Sequence, residues 1–270
     1  MRKIGIDAGG TLIKLASMDE RGSLELRKVP VREMSAIAAW LNGEEDARIV
    51  VTGGRSAQLK AQMNKDVPDM AEFMATMRGA SYLLREQAFG ADAYVLTNVG
   101  TGTSIHRVEP EGHARIGGTG VGGGTLMGLS RLLTGIADFE TIVASAKSGT
   151  RGSVDLKVSD IYAGSEPPIP GELTASNFAK LFLREHMDDI AQEDLIASVM
   201  GLVGETVATT SVLAAGQNGI SNIVYIGSSF IRNEPLRDVV RAYTVLRGGV
   251  PYFPDNGEYC GAIGALLSGK

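Results

Sequence analysis

The sequence predicts an α/β fold of two related halves, and three observations carry that expectation. An apolar run, Ile4-Gly5-Ile6, leads directly into Asp7-Ala8-Gly9-Gly10-Thr11. A second strand-like run, Tyr94-Val95-Leu96-Thr97, leads into Asn98-Val99-Gly100-Thr101-Gly102-Thr103-Ser104. Between and after them, short β-type runs alternate with segments of helical periodicity. Both turns combine backbone amides with hydroxyls, and the first adds a carboxylate. Phosphate and its magnesium ion need all three groups. Glycines allow positive φ and close approach of backbone to an anion, and a carboxylate at a strand end can hold a hydrated cation. A repeated turn of this kind predicts a nucleotide cleft between the halves.

Taken in order, the elements begin with strand, glycine turn and strand over residues 4–17. A charged turn, Asp19-Glu20-Arg21-Gly22, then leads to a strand over 24–29, so the opening is antiparallel. Residues 35–41 read as a helix with Trp40 toward the core, and 47–51 as a buried strand ending at a third glycine turn, Thr52-Gly53-Gly54. Phe73, Met77, Ala80, Leu84 and Ala88 follow helical spacing after Pro68 and Asp69. His106-Arg107-Val108 and Ala114-Arg115-Ile116 read as a hairpin, followed by the glycine-rich segment 117–125 and the helically spaced Leu126, Leu129, Leu132 and Leu133. Three prolines make Glu166-Pro167-Pro168-Ile169-Pro170-Gly171 an extended loop. A long helix over 195–215, a buried strand over 222–226 ending at Gly227-Ser228-Ser229, and a small-residue helix over 260–267 complete the chain. The expected division is 1–95 and 96–270.

Composition narrows the function. The 270 residues are 44% hydrophobic, enough for a sizeable core, and the formal charge of −5 with no Lys/Arg block argues against nucleic acid as a partner. Cys260 is the only cysteine, so no intramolecular disulfide can form, and His106, His113 and His186 lack zinc spacing. No apolar run is read as long enough to cross a bilayer, and no signal segment opens the chain, so a soluble cytoplasmic protein outside the membrane is expected.

Each candidate has a plainer alternative. Asp7-Ala8-Gly9-Gly10 can be an ordinary hairpin turn, and Lys14, three positions beyond Thr11, either reaches a transferring phosphoryl group or is a surface lysine. Thr101 can serve phosphate or acceptor, or only its own turn. Glu72 is the candidate base, yet Asp69-Met70-Ala71-Glu72 also fits a capping box in which Glu72 merely starts a helix. Arg115 is either a hairpin surface charge or the cation for a carboxylate substrate. Segment 117–124 is a poor dinucleotide fingerprint because no βαβ opening precedes it, although Asp138 lies beyond it; contact with adenine or ribose at the helix start fits better. The absence of Gly-Lys-Ser or Gly-Lys-Thr excludes a P-loop.

The run Asp7-Ala8-Gly9-Gly10-Thr11-Leu12-Ile13-Lys14 joins an ordered set of further motifs: 98–104, 115–125, Val154-Asp155-Leu156-Lys157, 166–177, 223–230 and 243–247. Together they resemble the type II pantothenate kinases of Gram-positive bacteria over essentially the whole chain. The resemblance implies the actin, hexokinase and Hsp70 type of fold, with ATP between two α/β halves. It also implies transfer of the γ-phosphoryl group to the hydroxyl of pantothenate, the first step toward coenzyme A. Glu72 matches the family's base. Asp7, Ala8, Gly9, Gly10, Thr11, Leu12, Ile13 and Lys14 match the phosphate side, with Asp7 as the Mg2+ residue. Gly123, Gly124, Thr125, Leu126, Met127, Phe139 and Ser228 match the nucleotide side. Thr101 and Arg115 match positions beside pantothenate, and Thr101 is also in a phosphate turn. The family is dimeric, and Thr174 and Tyr243 match positions that approach the partner's pantothenate site. Two departures stand out: Asn98 where the wider superfamily usually has Asp, and Phe139 at a position that is Tyr in some relatives. A sugar or acyl-sugar kinase of the same fold and a non-catalytic ATP-binding sensor are the competing functions.

Overall fold

A computed structural model of the chain describes residues 1–183 and 189–268. His186 lies outside the described residues. In chain order the elements are β1 (Lys3–Ala8), β2 (Leu12–Met18), β3 (Leu24–Pro30), α1 (Met34–Gly43), β4 (Arg48–Thr52), α2 (Ser56–Lys60) and α3 (Glu72–Glu86). They continue with β5 (Tyr94–Val99), β6 (Thr103–Glu109), β7 (Gly112–Thr119), α4 (Gly123–Thr134), α5 (Phe139–Ser148), β8 (Leu156–Lys157), α6 (Val158–Ile161), β9 (Thr174–Ser176) and α7 (Ala179–Phe182). The last are α8 (Gln192–Gln217), β10 (Asn222–Ile226), α9 (Glu234–Leu246), β11 (Val250–Tyr252) and α10 (Cys260–Leu266).

Two compact units result. The first is Met1–Ala91 with Tyr225–Gly227 and Phe253–Lys270; the second is Asp92–Val224 with Ser228–Tyr252. The first unit carries a sheet in the order β3-β2-β1-β4, antiparallel except for the parallel pair β1–β4. Ile4, Ile6, Ile13, Leu15 and Val51 pack beneath α1, whose Ile37 and Leu41 are buried and whose neighbour Trp40 is half-buried against the same core.

The chain's end belongs to this first unit, not to a C-terminal half running through 270, because small residues let backbones meet. A Cβ at Gly79 of α3 would coincide with the Cys260 carbonyl, one at Gly264 with the Ala75 carbonyl, and one at Gly5 with the Ala262 carbonyl. α3 therefore packs on α10 through glycines. Its buried face is Ala75, Thr76, Met77, Gly79, Ala80, Leu83 and Leu84. Phe73, expected on that face, is 47% exposed, since the helix starts at Glu72 and its phase is set by the small residues that meet α10.

The second unit carries a sheet in the order β11-β10-β5-β6-β7 and a small β8–β9 pair. α8 lies at its centre, packed on α4, α5, α9 and β5, and buries Ile196, Val199, Met200, Val203 and Val207. By length and composition α8 could cross a bilayer, contrary to the sequence expectation, but most of its apolar stretch is buried in this core. The expected extended loop over 166–171 has no helix or strand.

Candidate active site

Asp7 is the penultimate residue of β1 and is paired directly with Lys14 on β2. Lys14 Nζ donates to Asp7 Oδ2 at 3.2 Å, and both side chains are 13% exposed. Ala8 pairs with Ile13, and Gly9, Gly10 and Thr11 form the turn before Leu12 opens β2, with Gly10 and Thr11 exposed at its tip. The turn is thus a hairpin as well as a candidate cradle. Neither Gly9 nor Gly10 has positive φ, so the reason given for glycine is corrected: a Cβ at Gly9 would stand 2.9 Å from the Leu12 carbonyl.

Two glycines that sequence reasoning left without a role enclose the Asp7 carboxylate. A Cβ at Gly53 (φ +95°) would stand 2.6 Å from Asp7 Oδ1, and one at Gly261 would stand 2.9 Å from Asp7 Oδ2. Their signals were the third glycine turn and the small-residue C-terminal helix. A side chain at either glycine would crowd the Asp7 carboxylate. Its one carboxylate suits magnesium, which is commonly held by one or two carboxylates together with substrate phosphates. No cluster of three metal-ligating side chains occurs among the described residues.

Glu72 is the first residue of α3, and Ala71 precedes it as the cap without a side-chain hydrogen bond. The capping-box alternative is therefore corrected: Glu72 stands one position after the cap, too early to reach back as the third residue would, and Asp69 instead accepts from the Ser56 hydroxyl at 3.3 Å. Glu72 is exposed by surface area, but enough protein surrounds its carboxyl to make desolvation the leading influence on it. Desolvation and then the Asp7 carboxylate raise its pKa, and Lys14 opposes them. A raised carboxyl near a phosphate-type turn is what a general base requires.

In the second unit the two glycine segments are bonded to each other. Gly123 N donates to the Gly100 carbonyl and Gly124 N to the Thr101 carbonyl, both at 2.8 Å, while Ser229 Oγ donates to the Gly100 carbonyl at 3.1 Å. Two of the first amides of α4 are thus committed to the turn, and the helix start holds Thr101 in place rather than presenting all its donors. Thr101 and Gly124 are exposed, Gly123, Thr125 and Met127 are half-buried, and Leu126 is fully buried with its amide donating to the Gly122 carbonyl at 3.0 Å, so the expected direct contact of Leu126 with a nucleotide is corrected: it packs beneath the segment. Gly117, Gly118 and Thr119 belong to β7 itself.

Phe139 opens α5 behind Asp138, whose carboxylate accepts from Thr141 N at 2.9 Å; Asp138 is a helix cap. Ser228, half-buried, opens the short 3-10 turn Ser228–Phe230. Arg115 is exposed on β7, paired in register with the buried His106. Its guanidinium lies over Gly118, where a Cβ would stand 2.7 Å from Nη2.

Thr174 and Tyr243 are brought together. Tyr243 OH donates to Thr174 Oγ1 at 3.1 Å, and Thr174 N donates to Tyr243 OH at 3.2 Å. Cys260 is fully buried, and burial pushes its thiol pKa up, which fits a small core residue and not a nucleophile.

This architecture defines an ATPase fold of the actin and hexokinase class. Among solved structures it is similar to the activator of the 2-hydroxyisocaproyl-CoA dehydratase from Clostridium difficile with bound ADPNP, at a TM-score of 0.66 and 15% identity over 99% of this chain and 93% of that one. It is also similar to glucokinase from Balamuthia mandrillaris in complex with glucose, at a TM-score of 0.51 and 15% identity over 98% and 92% of the two chains. In sequence it is 44% identical over 265 residues to the type II pantothenate kinase of Staphylococcus haemolyticus (strain JCSC1435), covering 98% of each chain. The Fumble family profile matches residues 19–268. The chain belongs to the type II pantothenate kinase family.

Proposed function

We propose that this chain transfers the γ-phosphoryl group of ATP to the hydroxyl of pantothenate, giving 4′-phosphopantothenate in the first step of coenzyme A biosynthesis. The observation that carries the chemistry is the grouping of Glu72, Asp7 and Lys14 within one unit, where Asp7 and Lys14 both act on the Glu72 carboxyl.

Glu72 accepts the proton of the pantothenate hydroxyl as its oxygen attacks the γ-phosphorus, and ADP leaves. Phosphoryl transfer depends mostly on positioning and charge stabilisation, so the remaining residues hold and neutralise. Lys14 offers its ammonium to the transferring group, and residues 8–13 follow the phosphates. Magnesium, held by Asp7 and phosphate oxygens, would neutralise charge on the triphosphate. Thr101 offers its hydroxyl to phosphate or acceptor; Gly123, Gly124, Thr125, Met127, Phe139 and Ser228 serve the nucleotide, Phe139 by stacking. Arg115 answers the pantothenate carboxylate, for no carboxylate among the described residues pairs with it. Thr174 and Tyr243 approach the pantothenate bound by the partner in a cytoplasmic homodimer.

A panel of acceptors with Mg-ATP and coupled ADP release tests the assignment. Pantothenate-dependent release is expected; release driven by a hexose instead would move the assignment to a sugar kinase, and none with any acceptor would favour a sensor.

A further inference from the structure

Thr174 Oγ1 stands at the centre of a network drawn from four separate elements. It donates to Glu205 Oε1 on α8 at 2.8 Å, and receives from Arg151 Nη2 and from Tyr243 OH, each at 3.1 Å. The direction of these bonds follows from the inventory of donors. A carboxylate cannot donate, so the single Thr174 hydroxyl proton goes to Glu205, and the Tyr243 proton must then go to Thr174. Arg151 also pairs with Glu205, and its Nη2 lies 2.8 Å from Asp155 Oδ2. Asp155, only 2% exposed, accepts from Phe178 N at 2.9 Å and so anchors the guanidinium. Gly201 on α8 leaves the space that the guanidinium fills, since a Cβ there would coincide with it.

Two consequences follow. The Thr174 hydroxyl is saturated, with its proton given and both lone pairs taken. Tyr243 OH has its proton given to Thr174 and one lone pair occupied by Thr174 N, so it retains one acceptor site and no donor.

We propose that Arg151 and Glu205 are positioning residues for pantothenate: through Thr174 they fix the proton of Tyr243 inward, so that its phenol accepts a hydrogen bond from a donor on the substrate. That donor is the amide N–H or a hydroxyl of pantothenate and not its carboxylate. The inference rests on the reading of Tyr243 as a residue of the pantothenate site.

Gly201→Ala in the full-length protein tests it without altering any member of the network. The added methyl displaces Arg151 from Asp155 and Glu205, so the melting temperature is expected to fall, by less than unfolds the protein, because alanine favours a helix interior. The KM for pantothenate should rise roughly three- to tenfold, the range of one hydrogen bond, with the KM for ATP unchanged. Tyr243→Phe should do the same, and the double variant should be no worse than Tyr243→Phe alone. Thr174→Val should raise the pantothenate KM as Tyr243→Phe does, and Thr174→Ser, which restores the hydroxyl, should recover most of that loss. If Gly201→Ala fails to fold cooperatively, the isosteric Glu205→Gln carries the test with the same expected rise. An unchanged pantothenate KM in the folded variant, or additive effects in the double variant, would overturn the inference alone. Absence of pantothenate turnover in the wild-type protein would overturn the substrate reading and this inference with it.

Discussion

Asp7 and Gly261 touch: the glycine at the start of α10 leaves the space beside Asp7 Oδ2, and a Cβ there would stand 2.9 Å from that oxygen. Residues from opposite ends of the chain thereby fix the carboxylate proposed to organise magnesium. Gly261→Ala should destabilise by about 1–3 kcal/mol, as overpacking does, and should tilt Asp7. A fall in turnover of about tenfold or more is expected, because small misplacements in a positioned site are expensive. Parallel melting curves and magnesium titrations of turnover check this; full activity would mean that the slot does not position Asp7.

Glu72→Gln should retain ATP binding and lose about a hundredfold or more in turnover, the usual contribution of a general base. Because the Glu72 pKa is raised, first by desolvation and then by Asp7, the active carboxylate is lost as pH falls through a value above the ordinary carboxylate range. The acid limb of the kcat/KM profile should therefore lie higher than for a solvated glutamate. A flat profile down to that ordinary range would argue that Glu72 is not the base.

The meeting of α3 and α10 depends on absent side chains. Gly79→Ala and Gly264→Ala each drive a methyl into a backbone carbonyl, of Cys260 and Ala75 respectively. Each should destabilise by about 1–3 kcal/mol or more, as overpacking does, visible as a lower urea midpoint. An unchanged midpoint would show that the helices separate readily.

His106 supplies a pH effect on stability. Desolvation, then the charges of Arg115 and His113, lowers its pKa from 6.5 to about 4, and the residue is 1% exposed. Its folded value is depressed, so the unfolded chain binds the proton first as pH falls. Stability is full above pH 6.5 and is lost progressively down to about 4, by roughly 1–3 kcal/mol over that window. Urea midpoints at pH 7.5 and 5 should differ, and His106→Gln should flatten the difference.

Much of this was legible in the sequence where the signal is local. The strands flanking the two glycine turns, the hairpin that carries Arg115, the long helix α8 and the burial of Cys260 all follow from periodicity and composition. The reasons were less legible than the elements. Gly9 is required by proximity to a carbonyl and not by its φ. Asp69 and Glu72 matched a cap that does not form, because the helix begins two residues later than the pattern suggests. Gly53 and Gly261 enclose Asp7 through contacts made only in three dimensions. Arg151, Glu205, Thr174 and Tyr243 likewise share no local spacing, so nothing in the chain order announces their network.

The central claim is that phosphate moves from ATP to pantothenate. ATP labelled with 32P at the γ position, incubated with magnesium, pantothenate and the purified wild-type protein, should yield label in 4′-phosphopantothenate, and Glu72→Gln should abolish nearly all of it. Label that remains in ATP, or passes only to inorganic phosphate, would contradict the account.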